Sequence, residues 1–439
     1  MNGLFLVFTI LKNFYAPKPP VWRINNRNKS VLPSSEKTGW KATDFLDLRG
    51  NNMKHMIKSV FSLALAACLL LSLGSTAAFA AENVSRPTEV KASGENVTRS
   101  YGSVSAVIDD ALSSNNALGV NAEHGHTAEV SADSITATGG FPTALFLCGS
   151  DSGSRASVTV ANGISSSGLD TAFGASVSSF DGGASVLRVN AGGIEARSDE
   201  YAFGLHARSF GPGSIDLNVN GDVTASGGTQ ARAVFLAAPE SGSLRAEVTG
   251  KVSASGGSDS AGAEIELGED STGSLLFRVN GDLSCSKTAL TIRNASARAQ
   301  ATIVVDGTIK GGVSSVKISD RENIDNLRLF AWKISRDDQG NTVSCGSGAA
   351  GEMQKAVGYI IHASAPAGVT LRIAGVSYEQ ELGIYTAVEG SQITLYPEAS
   401  GGKIAAVYNG DYALKQGDDG GYSLTVPRGG GVELRVELA

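Results

Sequence analysis

Short alternating runs dominate the chain. In Leu187-Arg188-Val189, Leu217-Asn218-Val219, Ala246-Glu247-Val248 and Phe277-Arg278-Val279, apolar side chains take alternate positions. A period of two marks a strand with one buried face, because successive side chains point to opposite sides. A turn and a second short strand follow each run, as in Val223-Thr224-Ala225 and Val252-Ser253-Ala254. A third strand comes next, as in Ala231 to Leu236 and Ala261 to Leu267. Gly, Ser and Asn separate the three, and no helical periodicity intervenes.

The pattern repeats. A small or turn residue precedes an apolar one at Ile135, Ile164, Ile194, Val223, Val252, Leu283 and Ile309, with spacings of 29, 30, 29, 29, 31 and 26. A fixed period of this size signals a solenoid, a propeller or an array. Three strands and three turns in about 30 residues suit one coil of a parallel β-helix. Seven or so coils at about 4.8 Å each predict a rod of roughly 35 Å.

Aligning the coils produces columns. Val189, Val219, Val248 and Val279 form an inward ladder. The neighbouring outward columns read Arg188, Asn218, Glu247, Arg278 and Val186, Asp216, Arg245, Leu276. Asp216 should therefore meet Arg245, and Glu247 should meet Arg278, each pair contributing about 0.2–1 kcal/mol. Asn190, Asn220 and Asn280 recur at the following turn, with Thr249 between them. Such residues tolerate left-handed turns and can hydrogen-bond along a stack. Phe173 with Phe203 and Phe180 with Phe210 make two further pairs 30 residues apart. Two readings of these pairs stand: stacking between neighbouring coils, or a platform for a carbohydrate. Over residues 100 to 325 the chain resembles the right-handed parallel β-helix repeats of large exported bacterial proteins, including pectate-lyase-like and adhesin passenger domains.

After Asn326 the repeat fades. Leu327-Arg328-Leu329-Phe330-Ala331-Trp332 is more apolar and is expected to cap the open end, with a flexible linker at Gly346 to Gly351. A different β-rich unit begins near Tyr359. It runs through Ile393-Thr394-Leu395-Tyr396-Pro397, Val407-Tyr408-Asn409-Gly410, Leu424-Thr425-Val426-Pro427 and Val432 to Val436. This order is similar to divergent internalin B-type repeats of bacterial surface proteins, although Val407 stands where that family often has an aromatic. The resemblance implies a small β-fold used as spacer or interaction module, without catalysis. The expected fold class is all-β: a solenoid over 81–325, a cap and linker over 326–358, and a small β domain over 359–439.

The N-terminal region has the pattern of an export signal. Lys54, His55 and Lys58 precede an apolar run from Val60 to Leu73, and Ala78-Phe79-Ala80 is an A-x-A site that places cleavage between Ala80 and Ala81. The run is short for a membrane span. Leu65-Ala66-Ala67-Cys68 resembles a bacterial lipobox, but Leu69 to Leu71 continue the apolar core past Cys68, which favours plain cleavage over lipidation. Met53 is the expected true start, with 1–52 included through a start codon assigned too early; the alternative is a real, unusual leader with its own apolar stretch, Leu4 to Leu11. Arg49-Gly50, if encoded AGG-GGN, supplies a ribosome-binding sequence just before Met53.

Removing residues 1–80 leaves 26 basic and 40 acidic residues, a net charge of −14. That charge disfavours binding to DNA or to anionic membranes. The remaining Cys148, Cys285 and Cys345 are an odd number, which argues against a disulfide framework.

Candidate chemistry is sparse. Within Glu123-His124-Gly125-His126, two histidines at i and i+2 would share one face of a strand, as a metal site requires. Aligning Ala117-Leu118-Gly119 with Ala172-Phe173-Gly174 places His124 and His126 instead at a coil-to-coil turn, beside Ser179-Phe180-Asp181. Asp109-Asp110 followed by His-Gly-His loosely resembles the acidic and His motifs of polygalacturonases, but that family's other elements are missing. Gly268-Glu269-Asp270 and Asp418-Asp419 read as exposed turns, with weak calcium binding as the alternative. No nucleophile elbow, zinc-protease motif or phosphate loop stands out. The expectation is an exported, non-enzymatic structural, adhesive or glycan-binding solenoid that needs no cofactor and has no transmembrane anchor in its mature form. Its partners would be glycans or cell-surface proteins. The alternative is a polysaccharide lyase or hydrolase of pectate-lyase-like architecture.

Overall fold

The computed structural model describes residues 81–109, 116–294, 296–319, 326–337, 340–345 and 357–439. The export signal, Cys68, the Ala80 side of the cleavage site, Asp110 and the expected linker all fall outside these residues. What is described is all-β, with about eight solenoid turns of about 29 residues.

Each coil contributes three strands to two sheets. In one central coil, Ala184–Val189 and Ile194–Ser198 belong to a 17-stranded sheet, and Tyr201–Phe210 belongs to a 10-stranded sheet. Elsewhere the first two strands run together as one long element, as in Thr127–Gly139 and Arg155–Gly168. All pairings between coils are parallel, and the registers match the sequence columns. Ile135 pairs with Ile164, then Ile194, Val223, Val252, Leu283 and Ile309 in turn. The ladder extends beyond those residues, to Val104 and Val84 at one end and Ile334 at the other.

Alternation builds the core. Leu187, Leu217, Ala246 and Phe277 are essentially fully buried, as are Val189, Val219, Val248 and Val279 two positions later. A fully buried Val, Leu or Phe side chain stabilises by about 1.5–3 kcal/mol, so each coil depends on its neighbours to cover it. The third strand departs from strict alternation. In Tyr201–Phe210 the inward residues are Ala202, Leu205, Ala207 and Ser209, so the chain skips a position at Gly204. A Cβ there would stand 2.5 Å from the Ala233 carbonyl oxygen, which leaves room for glycine only.

The solenoid does not end near residue 325. Leu327–Ile334, expected as a cap, is a further rung that pairs in parallel with Gln300–Gly311. Val357–Ile360 adds another, in parallel with Leu327–Ile334, and then takes Ile384–Ala387 on its far side in antiparallel. The C-terminal region itself ends the large sheet, so its open parallel edge is covered.

Beyond that junction lie two small sheets. One joins Val369–Ala374, Gln392–Ala399 and Tyr422–Thr425; the other joins His362–Ser364, Glu433–Leu438, Ile404–Asn409 and Tyr412–Ala413. Val407 is fully buried among Ile393, Leu395, Leu434 and Val436, and this core is continuous with the solenoid interior.

Candidate functional site

The outer face of the 10-stranded sheet gathers the densest set of chemically capable side chains. Register places Ser176, His206, Phe235 and Glu264 in one column, and Phe173, Phe203 and Arg232 in the next. Phe173 and Phe203 stack with centroids 4.8 Å apart and planes 11° from parallel, and Phe180 stacks on Phe210 at 4.7 Å and 4°. Both pairs stack between coils, at the one-rung spacing of a parallel ladder. Each stacked ring turns a face to its partner, so the pairs present edges outward.

His206 sits inside this group. It stacks on Phe235 at 4.7 Å and meets Phe173 and Phe203 edge-on. Its Nδ1 is buried with no hydrogen-bond partner among the described residues. Burial, aided by the Arg208 and Arg232 guanidinium groups, pulls its pKa down to about 4, so the ring is neutral at neutral pH. On the far side of Phe235 in the same column, Glu264 is almost fully buried and bridges two arginines, Arg232 and Arg293, the latter at 2.8 Å. The sequence reading did not single out His206, Arg232 or Glu264. Their signal was the outward column spaced 30, 29 and 29 residues apart, which the skip at Gly204 hides from a period-two reading.

On the larger sheet the registers are as expected, with Asp216 opposite Arg245 and Glu247 opposite Arg278. The ion pairs are not. Asp216 pairs with Arg188, Glu247 with Arg245 on its own strand at 2.6 Å, and Arg278 with Asp306 at 3.0 Å. Arginine is long enough to lean along its strand and reach a diagonal neighbour, so the facing partner is not the one it takes. The Asn column forms a partial stack: Thr249 Oγ1 donates to Asn220 Oδ1 at 2.8 Å and accepts from the Gly221 amide at 3.1 Å. Serines add rungs, as where Ser179 donates to Ser209 at 2.7 Å inside the coil.

His124 and His126 lie at a coil-to-coil turn, though the register differs from the expected one by two residues. Leu118 pairs with Leu145, and Leu145 with Ala175, because that coil is shorter than its successors. His124 then falls level with Asp181, and among the described residues these are the two non-glycine ones with positive φ, 56° and 46°. The turn is held by Asp151, whose carboxylate accepts from the His124 amide at 2.7 Å, the Gly125 amide at 3.2 Å and the Ser154 hydroxyl. Partial burial pushes the Asp151 carboxyl up, but these hydrogen bonds outweigh it and hold the group below its usual range. Among the described residues no three His, Cys, Asp or Glu side chains converge as a metal site would need.

The other candidates also have local partners or deep burial. Asp419 accepts from the Tyr396 hydroxyl at 2.8 Å and the Gly421 amide at 3.0 Å, which lowers its pKa. Burial pushes the Cys148 thiol up to about 12, so it carries no thiolate at neutral pH.

The C-terminal region carries a different surface. Tyr378 and Tyr385 face each other across the hairpin of Ser377–Glu379 and Ile384–Ala387, with rings 4.8 Å apart and tilted by 42°. They are 55% and 45% exposed, and Val388 beside them is 48% exposed. The opposite face of this hairpin is fixed to the solenoid. Ile384 packs with Val304, Phe330 and Ile360, Arg278 donates to the Leu382 carbonyl at 3.3 Å, and Arg328 pairs with Glu379. No protein-family model, curated protein or solved structure matches the chain.

Proposed function

We propose that this is an exported bacterial protein, secreted or held at the cell surface, whose solenoid is a non-enzymatic structural and adhesive rod engaging glycans or cell-surface proteins. The export part rests on the sequence from Met53 to Ala80. The non-enzymatic part rests on one observation: four outward carboxylates of the central coils are committed to arginines. Asp216 is taken by Arg188, Glu247 by Arg245, Asp306 by Arg278, and Glu264 by two arginines. A glycosidase needs one carboxyl group free to protonate the leaving oxygen and a second free to act as nucleophile or to activate water, and ladder pairs stabilise rungs instead. The polysaccharide-lyase alternative makes the opposite demand on the same face.

Expression in a bacterial host tests both parts. Recovery outside the cytoplasm with an N-terminus near Ala81, retention on glycan-bearing surfaces, and no polygalacturonate cleavage are expected. Polygalacturonate turnover by the purified chain would contradict the non-enzymatic reading, and an N-terminus within 1–52 would contradict the assigned start.

A further inference from the structure

The stacked phenylalanines cannot serve as a sugar platform, because each ring uses a face on its neighbour in the ladder. An aromatic platform for a pyranose needs ring faces open to solvent and rings held in place. Tyr378 and Tyr385 come closest to both conditions: their ring centroids lie 4.8 Å apart but the planes are tilted by 42°, so they splay open where the phenylalanine pairs lie parallel. They are about half exposed, they sit on the outer side of a hairpin, and the inner side of that hairpin packs on the last coils. The turn between the strands is closed by the Gly383 amide donating to the Glu379 carbonyl at 2.8 Å, and Arg328 holds the Glu379 carboxylate. Little ordering entropy then remains to be lost on binding.

Charge selects the class of ligand. Elsewhere in the C-terminal region arginines already cover tyrosines, Arg372 over Tyr396 at 4.0 Å and Arg435 over Tyr408 at 4.6 Å. Among the described residues no such cation lies over Tyr378 or Tyr385, and the turn beside them carries exposed Gln380 and Glu381. The two arginines that reach this hairpin are already engaged, Arg328 with Glu379 and Arg278 with Asp306 and the Leu382 carbonyl, so among the described residues neither is free to neutralise a uronate or a sialic acid. A neutral sugar can set its C–H face on the rings and direct hydroxyls to an amide or a carboxylate.

We propose that Tyr378 and Tyr385 form a binding site for neutral polysaccharide, which rests on the glycan-binding reading above and assigns it to the C-terminal hairpin, away from the coils. The test is retention of the full chain on insoluble amorphous cellulose, xylan and yeast β-glucan, with polygalacturonate gel and polylysine beads alongside. Wild type should bind at least one neutral matrix and should not bind polygalacturonate. The Tyr378→Ala/Tyr385→Ala double variant should bind that matrix at least tenfold more weakly. The Tyr378→Phe/Tyr385→Phe variant and Tyr412→Ala, at a tyrosine 81% exposed on another hairpin, should stay within twofold of wild type. Unchanged melting of all variants checks their folding. If the double alanine variant binds the neutral matrix as wild type does, the site is wrong while the glycan reading survives. Binding to polygalacturonate in preference to neutral matrices overturns the neutral class. Tyrosine-dependent binding to polylysine alone makes the hairpin a site for basic protein, and binding to no matrix removes the glycan reading and the site together.

Discussion

Trp332 lies flat against His362, with ring centroids 5.6 Å apart and planes 4° from parallel. One ring belongs to the last long solenoid rung and the other opens the C-terminal sheets. The indole also donates to the Val432 carbonyl at 3.1 Å, and the Gly431 amide donates to the Trp332 carbonyl at 2.7 Å. In a chain beginning at Ala81, Trp332 is the single tryptophan, so its fluorescence reports on the junction alone.

That junction closes through Gly429, Gly430 and Gly431, whose φ values are 83°, 73° and 83°. A Cβ on Gly430 would stand 2.2 Å from Tyr359 Cδ1 and 2.5 Å from the Trp332 carbonyl oxygen. The left-handed conformation alone costs a non-glycine residue roughly 1–2 kcal/mol, and the clash with buried Tyr359 adds to it. Gly430→Ala should therefore lower stability by about 2 kcal/mol or more. Denaturant titration followed by Trp332 fluorescence checks this, and an unchanged midpoint would show that the junction does not depend on the glycine clasp.

Stability should also fall in mild acid because of His206. Its folded pKa of about 4 lies below the ordinary 6.5, so the unfolded chain binds the proton more readily. The stabilisation is fully present above about pH 6.5 and is lost as the pH falls toward about 4. Its size is on the order of 3 kcal/mol. Urea midpoints from pH 7 to pH 4 should drop for wild type. They should drop less for His206→Phe, which keeps a ring on Phe235 without a titrating nitrogen. Parallel slopes for the two proteins would rule His206 out as the source.

Much of this architecture could be read from the chain, and the exceptions have physical causes. The column Ile135 to Ile309 is visible because each of its members faces the core and follows a turn residue. Leu327–Ile334 escaped recognition as a rung because its outward Phe330 is buried under the C-terminal hairpin, which erases the polar half of the alternation. Repeat spacing alone sets His124 two residues out of register, because it matches Phe173 to Leu118, whereas Leu118 stacks on Leu145 in a shorter coil. Ion-pair partners do not follow from the columns, which fix which backbones face each other and leave free where a long side chain leans. Tyr378 and Tyr385 gave no signal, since only the fold shows which face of their hairpin is covered.

The Arg232–Glu264–Arg293 triad on the outer face, in which Glu264 is buried, Arg232 largely covered and Arg293 half-exposed, offers a sharper stability test. Glu264 is almost fully buried between Arg232 and Arg293. Removing one member of a buried ionic group leaves uncompensated charge and costs about 3–5 kcal/mol. Glu264→Ala should show a loss of that order by thermal melting. Asp216→Ala, in a half-exposed pair with Arg188, should cost less than about 1 kcal/mol. Equal costs at the two sites would mean that the triad contributes no more than a surface pair.

The most direct test of the ladder assignment compares two adjacent residues, Glu247 and Val248. Glu247 lies outside the coil beside Arg245, and Val248 is 1% exposed inside it. Thermal melting and polygalacturonate turnover should be measured on Glu247→Ala and Val248→Asp together. Glu247→Ala is expected to melt within about 1 kcal/mol of wild type and to change no activity. Val248→Asp, which puts an unpaired carboxylate among the valine ladder, is expected to lose several kcal/mol or fail to fold. The contrary result is a Glu247→Ala protein that melts like wild type but has lost a turnover that wild type possesses; that would make the outward columns a catalytic surface.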